Sequence, residues 1–137
     1  MQQIEWGDAF IIQTPPKDWH LYIIIATISD STYLLVNTTT SNTQIDQEKD
    51  CIIHPSPNIP SFITCSSTIA YRHARDYRKN EIKQFIKKGI WQYSGRFPQE
   101  YIHEMQLKGA FSKKIKRKYK TVLREIIEIK ELNRIFG

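Results

Sequence analysis

The chain has 137 residues, 40% hydrophobic and 25% charged, with a formal net charge of +6 at pH 7. That length suits one domain around a single core, and the most apolar stretch, residues 21–28, is far shorter than the ~20 residues a helix needs to cross a bilayer. Glu5 and Asp8 stand where a signal peptide would carry a basic start and an apolar block, so a cytoplasmic protein with no membrane partner and free thiols at Cys51 and Cys65 is expected.

The first half reads as strands. Residues 9–13 form a short apolar run ended by Pro15 and Pro16. Residues 20–28 (HLYIIIATI) are rich in β-branched and aromatic side chains, which suits a buried strand. Asp30 and Ser31 signal a turn, so residues 33–39 are expected to return beside 20–28 as a hairpin. Residues 40–50 are polar and read as a loop. Residues 51–54 read as a short strand, followed by a loop marked by Pro55, Pro57 and Pro60; residues 62–64 and 68–71 complete the set. Five or six short strands predict a small β-barrel or strongly bent sheet over residues 1–76.

The second half reads as three helices, giving an α+β fold with residues 77–137 as a basic helical extension packed on the barrel. Residues 80–88 put Ile82, Phe85 and Ile86 on one face, with Gly89 at the C′ position. Pro98 opens a second helix to about Lys108, ended by Gly109. Ser112 is expected to cap a third helix reaching about Asn133, whose stripe includes Ile115, Tyr119, Val122, Leu123, Ile126, Ile127 and Ile129.

Charge divides the chain close to the same place. Residues 1–71 hold two basic side chains against seven acidic ones, and residues 72–137 hold the other eighteen Lys and Arg against seven acids. Such a split predicts a polyanion or an acidic protein as partner. The densest segment includes Lys113, Lys114, Lys116, Arg117 and Lys118, the expected RNA-binding residues. At the start of a helix these cations oppose the macrodipole, whereas the plain alternative is a solvated lysine-rich surface.

Several chemistries lack their residues. Cys51, His54 and Cys65 give only one short ligand spacing where a structural zinc site wants paired spacings and four ligands, so no metal or other cofactor is expected. No phosphate-binding glycine loop and no G-x-S-x-G elbow occurs. What remains suits RNA cleavage without metal, which needs an acid or base for the 2′-hydroxyl and leaving oxygen and a cation for the phosphate. His20, Thr38, Thr39, Ser66, Ser67, Arg72, His73 and Arg75 supply these groups. Each also has an ordinary reading as a strand residue, a sheet-end hydroxyl or an ion-pair partner.

In the order of its motifs, the stretch from about residue 5 to 76 resembles the MazF/PemK family of toxin endoribonucleases. Gly7-Asp8 precedes the first strand, HLYIIIATI stands where the family has an R-P-x-V-V-L strand, YLLVNTTT stands at the strand ending in T-T, and STIAYRHAR is similar to the S-I-x-W-R-A-R stretch. The resemblance implies an SH3-like barrel and metal-independent cleavage of single-stranded RNA by 2′-hydroxyl attack. It also implies an acidic antitoxin as cognate partner; a homodimer is a further expected assembly. His20 or its neighbour Trp19 takes the place of the family's reactive arginine, and the family's threonine falls on Thr38 or Thr39. In this reading His20 is the acid or base, Thr38 or Thr39 positions the phosphate, Arg72 and Arg75 stabilise the developing charge, and Ser67 is a further candidate. The alternative is a non-catalytic module that binds RNA or an acidic protein through its basic helices.

Overall fold

The computed structural model describes residues 3–14, 18–40 and 50–137. Pro15, Pro16 and most of the loop expected over 40–50 lie outside them. Strands β1 (Asp8–Thr14), β2 (Asp18–Ser29) and β3 (Thr32–Thr40) form an antiparallel meander. The β2–β3 hairpin turns at Asp30 and Ser31, as expected from the sequence. A two-residue strand β4 (Ile52–Ile53) precedes the long β5 (Ser67–Arg78), helix α1 (Lys79–Lys87) and strand β6 (Gln92–Arg96). Helices α2 (Gln99–Phe111) and α3 (Arg117–Phe136) end the chain. The six strands run in the order β4-β5-β3-β2-β1-β6, every pair antiparallel. Register shifts within β2–β3, β3–β5 and β1–β6 bend the long strands and curl the sheet into a half-barrel. The α+β class with a barrel-like sheet and three helices is therefore the observed architecture.

Both faces of the sheet are covered. Leu21, Ile23, Ile25, Leu34, Val36, Ile69 and Tyr71 point to one face and pack with Ile102 and Met105 of α2 and Tyr119 and Leu123 of α3. Phe10, Tyr22, Ile24, Tyr33 and Leu35 point to the other and pack with Ile82 of α1 and with Trp91. Double coverage explains why residues 21–26 are buried without alternation.

Four local expectations are corrected. Residues 62–64 are turn and coil rather than strand. Residues 92–96 form a strand that returns from the helical half to pair with β1. Gly109 lies inside α2 instead of ending it. A Cβ there would meet Leu123 Cδ1 at 2.7 Å and Tyr71 Cε1 at 2.9 Å, so the glycine serves close packing. Ser112 closes α2 instead of capping α3, which begins at Arg117 behind Lys116 with no side-chain cap. Gly89 does occupy the C′ position of α1 with φ 75°. Its N–H donates to the Ile86 carbonyl and that of Ile90 to Phe85, a Schellman motif.

Gly7 and Asp8 lock β6 to the sheet. The N–H of Gly7 donates to Ile24 O at 2.7 Å, and its carbonyl accepts from Phe97 N at 2.9 Å. Its φ of 97° and the Phe97 carbonyl, 2.7 Å from where a Cβ would stand, leave no room for a side chain. Asp8 is fully buried. It accepts from Glu5 N at 2.8 Å, Arg96 Nε at 2.8 Å and Tyr93 Oη at 3.3 Å.

Candidate functional site

The ends of β2, β3 and β5 and the loop before β5 enclose a cleft of about 580 Å³. Asp18, Trp19, His20, Thr38, Thr39, Phe62, Thr64, Cys65 and Ser67 line it. Four of the six expected catalytic residues, His20, Thr38, Thr39 and Ser67, are thus gathered at one place. Strand register sorts them further. Tyr22 pairs with Asn37 and Thr39 with Thr68, which sets His20 opposite Thr39 in one cross-strand row. Alternation puts that row on the sheet face of Tyr22. Trp19 and Ser67 belong to the next row, and Thr38 to the row of Leu21 and Ile69, so these three share the opposite face.

The polar groups of the cleft are held locally. His20 Nδ1 lies 3.1 Å from the Thr38 carbonyl. A carbonyl only accepts, so Nδ1 carries the hydrogen and Nε2 is the acceptor of the neutral ring. Ser67 Oγ donates to Cys65 O at 3.0 Å and keeps its lone pairs for another donor. Thr38 is buried. Ser66, on the alternate side of the chain, lies 2.8 Å from His54 Nδ1 in an exposed pair outside the cleft.

Arg72 and Arg75 do not line the cleft. Arg72 is five residues beyond Ser67 along β5, up to roughly 16 Å away in extended chain. Both arginines are exposed on the half of β5 beyond its pairing with β4. That half meets the start of α3: Tyr119 Oη donates to Asp76 at 3.0 Å, and Lys118 Nζ lies 3.9 Å from the same carboxylate. Burial, followed by the hydrogen bond and charge of Asp76, pushes the Tyr119 phenol up to about 12, while Arg75 pulls it the other way. Arg75 therefore lies in the electrical surroundings of Tyr119, just after the segment carrying Lys113, Lys114, Lys116, Arg117 and Lys118, all exposed.

Trp19 entered the sequence reading only as the neighbour of His20, yet it is the cleft's largest side chain and is 54% exposed. Phe62 was read as a strand residue, and its place in the cleft lining follows from the loop that carries it. Nothing local in the sequence distinguished either. Among the described residues no three His, Cys, Asp or Glu side chains come together as a metal-binding group. Comparisons with protein-family models, with curated proteins and with solved structures give no match.

Proposed function

We propose that the protein binds single-stranded RNA on a basic surface formed by the outer half of β5 and the segment leading into α3. The observation that carries this reading is the meeting, around Asp76, of two cationic stretches far apart in sequence. The Lys118–Asp76 pair is exposed and contributes little stability. The first turn of α3 holds no acid and its N-terminus has no side-chain cap. Cations at that end weaken the helix by about 0.3–1 kcal/mol each, and phosphate oxygens would reverse the sign. Each cation that neutralises a phosphate on a single strand steepens the logarithmic salt dependence by roughly 0.7.

The test is binding of an unstructured RNA at several salt concentrations, in EDTA. Replacing Lys113, Lys114, Lys116 and Arg117 together by alanine is expected to flatten the slope by up to about 3. An unchanged slope would remove this surface from the RNA path.

A second reading is MazF/PemK-like cleavage at the cleft, with His20 Nε2 as base or acid. The gathering of His20, Thr38, Thr39 and Ser67 in one cleft favours it. The distance to Arg72 and Arg75, and the two sheet faces used, weigh against it. The same EDTA assay decides: discrete cuts abolished in His20→Ala would support cleavage, and binding without cuts would leave the binding module.

A further inference from the structure

The described residues that line the cleft include no Lys or Arg and one carboxylate, that of Asp18. What the walls do offer is aromatic surface and neutral hydrogen-bonding groups. Trp19 from β2, Phe62 from the loop before β5 and the hydroxyl-bearing Thr38 and Ser67 all line the cleft. A tryptophan left half open on a concave wall is a large apolar area that folding has not used. The enclosed volume falls within the ~300–1,000 Å³ of small-molecule sites.

We propose that this cleft receives one unpaired nucleobase, stacked on Trp19 and hydrogen-bonded at its edge by Thr38 and Ser67. The inference rests on the RNA reading above and adds a division of labour to it. Phosphates follow the cations of β5 and α3, and a base turns into the cleft at the other end of the same strand. A flat, uncharged ring with donors and acceptors on its rim matches this lining, and stacking tolerates any base. Ser67, whose hydrogen goes to Cys65 O, offers its lone pairs to a donor on the base, and with the Thr38 hydroxyl it supplies whatever preference exists.

The experiment compares a single-stranded RNA with an abasic strand of the same length and phosphate number, by tryptophan fluorescence and by affinity. Trp91 is buried and Trp6 half-buried, so they report on the folded body while Trp19 reports on the cleft. The base-bearing strand is expected to quench the Trp19 emission and the abasic strand to bind without quenching. Trp19→Ala is expected to lose the quenching and about five- to hundred-fold in RNA affinity, with the salt slope unchanged. Trp19→Phe keeps a stacking face and is expected to recover most of the affinity, which separates stacking from any loss of fold. Full affinity and slope in Trp19→Ala would overturn the base site while leaving the basic surface intact. Loss of RNA binding in the wild type would overturn the RNA reading, and the base site with it. Quenching by the abasic strand would also overturn the base site, because it would assign the signal to the phosphates.

Discussion

At the scale of single residues, close packing explains more than local conformation does. Gly109 was expected to stop a helix because glycine commonly stands at C′. It sits instead within α2, where Tyr71 and Leu123 press on it. The Leu123 methyl can swing aside, but the Tyr71 ring is pinned by its hydroxyl, which donates to Met105 O at 2.7 Å. Gly109→Ala is therefore expected to destabilise the fold by about 1–3 kcal/mol despite alanine's better helix propensity. Urea unfolding checks this; a variant as stable as the parent would mean that Tyr71 moves freely. The candidate site shows the same dependence on position. His20 and Trp19 are neighbours in sequence, yet alternation sends them to opposite faces, so only one points to the Ser67 side.

At the scale of elements, strong local patterns gave clear expectations and weak ones did not. The β2–β3 hairpin and the existence of three helices follow from apolar runs, a two-residue turn and helical spacing. Strand β6 escaped because QYSGR has little β character and is only five residues long. It is a strand because β1 offers a free edge and Asp8 anchors Arg96 and Tyr93 beside it. Asp8→Ala is expected to loosen β6 and to cost about 1–3 kcal/mol, because Glu5 N–H and the Arg96 guanidinium lose an acceptor. Faster amide exchange confined to residues 92–96 and their partners on β1 would confirm it, and unchanged protection there would count against the anchoring role. The N-terminus of α3 was misplaced because Ser112 is a good cap in the abstract. In the fold, its side chain accepts from Lys114 N at 3.0 Å in the turn between helices.

At the scale of the whole molecule, two buried groups contribute to the alkaline limit. Burial raises the Cys51 thiol from 9.0 to about 11. Burial and then Asp76 raise the Tyr119 phenol from 10.0 to about 12. The folded state holds both neutral, whereas the unfolded chain releases these protons at lower pH. Their contribution is intact below about pH 9 and falls as pH rises toward 11 and 12, by roughly a few kcal/mol together. Urea midpoints measured from pH 8 to pH 11 should fall accordingly, and Tyr119→Phe should soften the part above pH 10. A midpoint that stays level across this range would contradict the assignment. Among the described residues no helix is long and apolar enough to cross a membrane.

The amino-acid sequence by itself determined the α+β class, the leading hairpin, the three helices and the charge division between the halves. Each of these rests on patterns within a few to some twenty residues, which propensity, periodicity and turn chemistry report directly. Only the tertiary structure decided which edge β6 joins, why Gly109 is small, and which members of the expected site meet. His20, Thr38, Thr39 and Ser67 line one cleft while Arg72 and Arg75 lie outside it farther along β5, because register and strand length set those distances. A shift of one residue in pairing would exchange the two faces, and that register is fixed by contacts summed across the whole sheet and the helices that cover it.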